Sequence, residues 1–163
     1  MLARTLLLCV LLLGTAAVPA GARIVPGTGM AGVAIGDCEA SVRGKLGRPG
    51  SVTRRSDFAG PSSNWRYSKR GLRVTFRSGA SCQAVTAIST DRGFERTAEG
   101  IGKGSRRTTL RARLRGERCR TYRVPEPVRS CTLGAFRPGR VVTDFRIDSR
   151  ARVSSVLVGI VID

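Results

Sequence analysis

The sequence predicts an α+β fold built from two tandem repeats, each a helix followed by antiparallel strands, with the helices packed on one face of the sheet. Three features predict this plan: an internal similarity between the two halves, apolar pairs at helical spacing, and segments in which apolar and polar residues alternate. The chain has 163 residues, of which 41% are hydrophobic, which is enough for one ordinary domain.

The internal similarity begins at a glycine that precedes each predicted helix. A short oxygen-bearing side chain follows the glycine and can accept hydrogen bonds from the first N–H groups of a helix. Two apolar residues then follow four positions apart, so that they share one helical face. The matched positions are Gly36 with Gly104, Asp37 with Ser105, Val42 with Leu110, and Leu46 with Leu114. We therefore expect helices over 38–46 and 106–115, and we interpret the similarity as a duplication.

Strand-like segments follow each predicted helix. Apolar and polar residues alternate over 65–67, 72–77 and 141–147, which is typical of half-buried strands. The segment 156–162 is almost continuously apolar, which suits a strand buried on both faces. Two further segments are rich in Gly, Pro, Ser and Arg and are predicted to be loops. These segments are 48–63 and 116–139.

Residues 1–22 have the pattern of a secretory signal peptide. Arg4 supplies a positive charge, a leucine-rich uncharged stretch follows, and small residues offer cleavage after Ala20 or Ala22. An uncleaved membrane anchor is the competing interpretation, but the uncharged stretch is short for a span and ends in Gly, Ala and Pro. We expect a mature chain that begins near Arg23, has no stable membrane span, and is secreted or held in the cell envelope. The expected organisation is a signal peptide at 1–22, a first repeat at 23–95 and a second repeat at 96–163, with the two repeats forming one compact unit.

The cysteines predict a covalent frame. Of the 5 cysteines, Cys38, Cys82, Cys119 and Cys131 lie beyond the predicted signal peptide. An even number in an exported chain of this size indicates two disulfides, for which three pairings are possible. Zinc is disfavoured because the chain has no C-x-x-C pair and no histidine. If each predicted repeat closes its own bridge, the pairs are Cys38–Cys82 and Cys119–Cys131.

Motifs in the first half resemble the SmpA/OmlA type of envelope module. The resemblance rests on Gly36 before a helix, Val42, the run Leu46-Gly47-x-Pro49, and Trp65-x-Tyr67. It covers about residues 26–90 well and 97–163 weakly. The tandem plan with one disulfide per half is similar to that of the β-lactamase inhibitor protein. A Gly-rich lead-in of this kind is also similar to that of uncharacterised secreted proteins of high-GC bacteria.

The chain departs from these families in three ways. Asp37-Cys38 stands where the envelope family usually has Met-Thr, and the second half lacks the Leu-Gly-x-Pro and Trp-x-Tyr motifs. The binding sheet of the inhibitor is rich in aromatic residues, whereas this chain has 5 Phe, 2 Tyr and 1 Trp. The resemblance therefore implies an architecture and does not imply β-lactamase inhibition.

The absence of histidine removes several classes of enzyme. It excludes Ser-His-Asp, Cys-His and His-ligated metal mechanisms. A pair among the 11 carboxylates is the remaining catalytic option, but no spacing in the sequence favours any pair. We therefore predict that the protein is not an enzyme and takes no cofactor.

Basic residues are the strongest binding signal. The chain has 29 Lys+Arg against 11 Asp+Glu, a formal net charge of +18. The densest stretch, 103–123, would attract phosphates, wall polymers or acidic proteins. The candidate residues there are Arg106, Arg107, Arg111, Arg113 and Arg115. The competing interpretation is a solvated helix face in a chain whose codon usage favours arginine.

A second candidate surface lies on the predicted first hairpin. If Trp65, Tyr67 and the apolar residues of 72–76 face the core, then Arg66, Arg73 and Arg77 share the opposite face. Three arginines on one face could hold an anionic ligand. They could equally be edge-strand charges that discourage aggregation.

The sequence thus predicts a secreted, disulfide-stabilised, non-enzymatic module that binds an extracellular protein or an anionic cell-wall polymer. The first alternative is an electrostatic polyanion-binding protein that uses the arginine-rich surface. A weaker alternative is a small hydrolase that uses a carboxylate pair. Nucleic acid is disfavoured as a partner because the chain has no RNP-type motif, zinc finger or helix-turn-helix pattern, and because it is expected to be exported.

Overall fold

An eight-stranded antiparallel sheet organises the chain, and a three-stranded sheet near the start of the described residues packs beside it. The computed structural model describes residues 23–124 and 126–162, so the predicted signal peptide lies outside the described residues. The small sheet consists of β1 (Ile24–Val25), β2 (Gly29–Met30) and β3 (Val33–Ala34). The large sheet consists of β4 (Ser51–Asp57), β5 (Gly60–Tyr67), β6 (Leu72–Ser78), β7 (Gln83–Thr90), β8 (Arg118–Val124), β9 (Glu126–Leu133), β10 (Val141–Ile147) and β11 (Val153–Ile160).

The order of strands in the large sheet is β4-β5-β6-β7-β11-β10-β9-β8. Each half of the chain therefore contributes a run of neighbouring antiparallel strands, and the two runs meet where β7 pairs with β11. The apolar segment 156–162 forms most of β11, at the centre of the sheet, but the expected burial on both faces is wrong, since Val156 and Val158 are buried and Leu157 on the opposite face is exposed. The edges of the sheet are β4 and β8, which come from the segments predicted to be loops.

Two short helices occur in the described chain, α1 (Glu39–Leu46) and α2 (Arg107–Arg113). They match the predicted positions, although α2 is shorter at its C-terminal end. The predicted caps are wrong, since neither N-cap residue makes a side-chain capping hydrogen bond. Asp37 instead accepts hydrogen bonds from the backbone N of Ala34 and from Nζ of Lys45. None of the helices in the described chain is long and apolar enough to cross a membrane.

One buried cluster joins the inner face of the large sheet to both helices and the small sheet. Val42 and Leu46 of α1 and Leu110 of α2 are buried there, together with inward residues of the central strands. The side chains of Phe76 and Phe145 are fully buried, and the ring of Trp65 lies 4.7 Å from that of Phe76 between centroids. Burial of the alternate residues of β5 and β6 leaves Arg66 and Arg73 on the opposite face.

The predicted α+β class with two helix-plus-sheet repeats is wrong. The described residues are mostly β, with 50% strand and 11% helix, arranged as antiparallel sheets of eight and three strands. The error lies in 48–63 and 116–139, which supply β4, the first half of β5, β8 and β9. Every residue of β4 is exposed, so this edge strand carries no apolar–polar alternation that sequence reasoning could detect. Pairing with β5 holds β4 in place, and Arg, Ser and Thr side chains are compatible with an edge open to water.

Both predicted disulfide pairs are present. Cys38–Cys82 ties the residue before α1 to the turn between β6 and β7. Cys119–Cys131 joins β8 to β9 at positions that lie directly opposite each other. The second bridge therefore fastens an exposed edge strand to the rest of the sheet.

Candidate functional site

The face of the large sheet that points away from the buried cluster, here called the outer face, carries the candidate site. A single row of directly paired positions crosses this face from one edge of the sheet to the other. The row reads Ser51, Arg66, Arg73, Ser89, Leu157, Asp144, Thr132 and Arg118, one residue from each strand in sheet order. Polar side chains occupy seven of these eight positions, since Leu157 is the one apolar member.

A shallow groove of about 400 Å³ follows the middle of this row. Its basic lining residues are Arg66, Arg73, Arg92 and Arg146, all of them exposed. Hydroxyl groups lie between the charges. They come from Ser68, Ser89 and Ser155, and the carboxyl groups of Asp91 and Asp144 line the groove as well. The groove thus offers guanidinium and hydroxyl donors on a rigid sheet, which is a suitable surface for an anionic or hydroxyl-bearing ligand.

Two of these arginines lie side by side without a compensating charge. Arg66 and Arg73 are directly opposite each other on β5 and β6. Like charges at such positions destabilise a sheet. Among the described residues, the ion pairs are Arg23–Glu95, Lys45–Asp37, Arg77–Asp57 and Arg111–Glu117, and none of them involves a groove arginine. An anion in the groove would relieve the repulsion between these two side chains.

Asp144 is the acidic residue of the row. Its carboxylate accepts a hydrogen bond of 2.8 Å from the hydroxyl of Thr132 and a second one from the hydroxyl of Ser130. These two bonds fix the carboxylate toward β9 and leave it half-buried at the wall of the groove. Asp144 therefore separates the arginines of β5 and β6 from those of β8.

A second depression of about 350 Å³ lies on the β8 side of the same face. Arg118, Arg120 and Arg137 line it together with two exposed aromatic rings, Tyr122 and Phe136. Tyr122 is 40% exposed and Phe136 is 62% exposed, so both rings are accessible to a ligand. Thr132, which holds Asp144, lines this depression as well, so the two depressions adjoin along the row.

The predicted hairpin arginines are placed differently from one another. Arg66 and Arg73 line the groove, but Arg77 is engaged elsewhere. Its guanidinium lies 2.6 Å from the carboxylate of Asp57 and donates to the backbone oxygen of Gly60. The hydrogen bond from Arg77 holds the pKa of Asp57 below its ordinary value. The alternative that these arginines protect a sheet edge does not fit, because β5 and β6 are interior strands.

The arginine-rich stretch 103–123 does not converge on one site. Arg111 pairs with Glu117 at 3.2 Å, and Arg113 donates to the backbone oxygen of Glu99. The other predicted members lie immediately before α2, at its first residue and shortly after its end, on the helix side of the molecule. They are Arg106, Arg107 and Arg115. By contrast, Arg118 and Arg120 belong to β8 and line the second depression on the outer face.

Several residues of the site were missed by sequence reasoning. Asp144 and Arg146 alternate with buried Phe145 and Ile147 on β10, so the predicted strand 141–147 already contained the signal for their outward position. The residues of β8 were hidden because 116–139 was interpreted as a loop. Phe136 lies in the turn between β9 and β10 and has no sequence signal beyond its type.

The structure defines the protein as a disulfide-bonded, predominantly β protein with one extended polar sheet face. Among residues 23–124 and 126–162, no group of three or more His, Cys, Asp or Glu is placed to hold a metal ion. No family model and no curated protein matches the chain. The resemblances to the SmpA/OmlA and β-lactamase inhibitor families therefore stay predictions.

Two solved structures share the fold. One is a DUF4309 family protein (YjgB) from Bacillus subtilis subsp. subtilis str. 168, with a TM-score of 0.52 and 14% identity over 82% of this chain and 88% of that one. The other is an extracellular protein containing a SCP domain from Bacillus anthracis str. Ames, with a TM-score of 0.50 and 11% identity over 77% of this chain. The match spans 43% of the length of the SCP-containing protein. At these identities the comparison concerns the fold alone.

Proposed function

We propose that the protein is a non-enzymatic binding module that acts outside the cytoplasm and holds an anionic partner against its outer face. The observation that carries the proposal is the directly opposed pair Arg66 and Arg73, which has no acidic partner among the described residues and lines an open groove. A protein that keeps two like charges side by side loses some stability, and a bound anion would recover it.

Two observations support export: the two disulfides and the structural similarity to one solved protein. Two disulfides are consistent with an oxidising compartment, as is the likeness to a protein described as extracellular. With the predicted signal peptide, these observations favour a secreted or envelope-associated protein.

The proposal that the module is not an enzyme is supported by the state of its carboxylates. Asp37, Asp57 and Glu117 are ion-paired, and Asp144 is held by two hydroxyl groups. Glu95 is buried at 1% exposure, away from the groove lining. Asp91 and Asp144 both line the groove, but Asp91 follows β7, two strands away from Asp144 on β10. A general acid and base would need two carboxyl groups that converge on one reacting bond.

The test is a capture experiment with the oxidised protein purified from a secreting host. The immobilised protein is exposed to the producer's envelope and secreted fraction and washed at rising salt. We expect the double variant Arg66→Ala/Arg73→Ala to lose its partner and the single variant Arg48→Ala, which removes an exposed arginine after α1, to retain it. Because anions bound by arginine are displaced by salt, affinity should fall as ionic strength rises.

A third variant tests the electrostatic alternative. It replaces the five helix-side arginines at 106, 107, 111, 113 and 115 with alanine. Loss of the partner in this variant, with binding intact in the groove variant, would assign the function to the helix side. Equal binding by all variants would exclude both surfaces, and turnover of a captured substrate would show that the protein is an enzyme.

A further inference from the structure

We propose that the ligand of the outer face is an acidic oligosaccharide that lies across the strands, along the row from Arg66 to Arg118. This inference rests on the proposed function and names its ligand class. It depends on the order of chemical groups along the row, which is basic, then hydroxyl-rich with one carboxylate, then basic and aromatic.

The two ends of the row would hold anionic groups. Arg66 and Arg73 stand at one end, whereas Arg146 lines the groove from β10, three strands away from Arg73 and two residues after Asp144. Arg118 and Arg120 stand at the other end, in the second depression. Guanidinium groups bind carboxylate in a bidentate manner, so each end suits the carboxylate of an acidic sugar.

The middle of the row carries a carboxylate, so an anionic group there would have to lie toward Arg146, two residues along β10. Asp144 lies there, directly opposite Leu157 on β11 and Thr132 on β9. The hydroxyls of Ser130 and Thr132 already donate to its Oδ1, and its other oxygen, Oδ2, is left to accept from a ligand. A ligand that lies over Asp144 must therefore present neutral donors, and sugar hydroxyls are such donors.

Hydroxyl groups of the protein continue this pattern. Ser89 lies in the row between Arg73 and Leu157, and Ser155 lies opposite Arg146. A hydroxyl both donates and accepts, so these serines can pair with sugar hydroxyls in either direction. A protein partner would instead need apolar or aromatic residues near the centre of this surface, because such residues dominate protein–protein interfaces. Among the exposed large hydrophobic residues of the described chain, Leu157 is the one that lies there.

The β8 end supplies a stacking surface. Tyr122 and Phe136 line the second depression beside Arg118 and Arg120. An exposed aromatic ring offers a flat apolar face to the C–H face of a sugar ring, and Tyr adds a polar tip. The aromatic pair would thus fix one end of the oligosaccharide.

The dimensions require an oligomer. From β6 to β8 the row crosses five strand intervals, and neighbouring strands lie about 4.8 Å apart, so Arg73 and Arg118 are separated by about 24 Å along the sheet. A single sugar or a free phosphate cannot reach both ends. Affinity should therefore rise with chain length until both basic ends are occupied.

The experiment is isothermal titration of the full exported protein at fixed ionic strength with three probes. The probes are oligogalacturonate of increasing length, the same oligomer with its carboxyl groups methyl-esterified, and polyphosphate. Each unit of oligogalacturonate carries one carboxylate together with free hydroxyls, whereas polyphosphate carries an anion at every unit and no hydroxyls between them. We expect oligogalacturonate to bind with length-dependent affinity and its neutral ester to bind at least about tenfold more weakly, because the charge-assisted hydrogen bonds are lost.

The decisive variant is Asp144→Asn, which keeps the shape of the side chain and removes its charge. We expect it to weaken oligogalacturonate several-fold, because an acceptor for sugar hydroxyls is lost, and to strengthen polyphosphate, because a repulsive charge is lost. Tyr122→Ala with Phe136→Ala should weaken oligogalacturonate and leave polyphosphate nearly unchanged. Glu99→Gln, which removes an exposed negative charge outside both depressions, is the matched charge control. Unchanged thermal unfolding and intact disulfides show that each variant is folded.

The outcomes separate this inference from the proposed function. If polyphosphate binds as tightly as oligogalacturonate and Asp144→Asn strengthens both, the face is an unselective anion site, so the proposed function stands and the oligosaccharide assignment falls. If none of the probes binds but an acidic protein is captured in an Arg66- and Arg73-dependent manner, the ligand class is again overturned. If no anion of any kind binds the face, both proposals fail.

Discussion

Arg66 on β5 and Arg73 on β6 occupy directly opposite positions on the outer face, one row away from the buried pair Trp65 and Val74. The same register that buries the aromatic ring therefore forces the two guanidinium groups together. A pair of like charges on neighbouring interior strands lowers the free energy of unfolding, and this effect can be measured separately from any binding.

Replacement of Arg73 by serine should stabilise the unliganded protein. The change removes the like-charge contact with Arg66 and introduces a small polar side chain that is compatible with a strand. We expect a gain of about 0.2–1 kcal/mol in the free energy of unfolding at low salt, with a smaller gain at high salt. Urea denaturation at two ionic strengths measures it. A loss of stability in Arg73→Ser at both salt concentrations would contradict the repulsion.

The assignment of the two sheet faces can be tested with one type of substitution at two positions. Leu72 on β6 is 1% exposed and Leu157 on β11 is 38% exposed. Leu72→Ala should cost about 2–5 kcal/mol because it leaves a cavity in the core, whereas Leu157→Ala should cost about 1 kcal/mol or less. Denaturant unfolding of both variants gives the comparison. Equal losses would mean that the outer face is covered by part of the protein.

The two disulfides should differ in their contribution to stability. Cys38 and Cys82 are 44 positions apart in the chain, and Cys119 and Cys131 are 12 positions apart. Loop entropy gives about 4 kcal/mol for the longer loop and about 3 kcal/mol for the shorter one. Paired Cys→Ser variants, compared by thermal and denaturant unfolding, should follow this order. A larger loss from the β8–β9 pair would show that edge anchoring outweighs loop entropy.

Glu95 should make the folded state less stable as the pH rises. Burial raises the pKa of this carboxyl above its ordinary value, although the guanidinium of Arg23, 4.0 Å away, opposes the shift. A carboxyl with a raised pKa in the folded state contributes stability below its unfolded pKa, and that contribution is lost as the pH rises through the folded pKa. Unfolding measured from pH 4 upward should therefore show a decline that is absent in Glu95→Gln.

The control for this prediction is Asp57, whose pKa is shifted in the opposite direction. Its hydrogen bond with Arg77 lowers the pKa, so Asp57 loses its contribution to stability as the pH falls. Asp57→Asn should therefore leave the decline at rising pH unchanged. If Asp57→Asn removed that decline as well, the pH dependence would not belong to Glu95.

Short-range patterns explain what sequence reasoning found. The i, i+4 pairs Val42/Leu46 and Leu110/Leu114 located both helices, and alternation in 65–67, 72–77 and 141–147 located parts of three interior strands. Alternation on the first hairpin also placed Arg66 and Arg73 on the face opposite the core. These features depend on neighbours within one element, so they can be read before the chain is folded.

Edge strands and their side chains could not be found in this way. β4 and β8 are largely exposed, mostly polar and rich in arginine, and sequences of this kind are also typical of loops. The loop-like composition of 116–139 conceals β8 and β9, and with them the basic end of the site that contains Arg118 and Arg120. The arginine-rich stretch 103–123 was then treated as one cluster, although the chain turns from helix to edge strand within it.

The sequence by itself determined the positions of the helices, parts of the interior strands β5, β6, β10 and β11, the cysteine pairs favoured by the plan, and the strongly basic charge. Only the tertiary structure decided the mostly β class, the order of the strands, and the row that brings Arg66, Asp144 and Arg118 onto one face. The physical reason is that the pairing of strands depends on backbone hydrogen bonds between distant segments. An exposed strand satisfies those bonds through its neighbour and leaves no apolar pattern in its own residues.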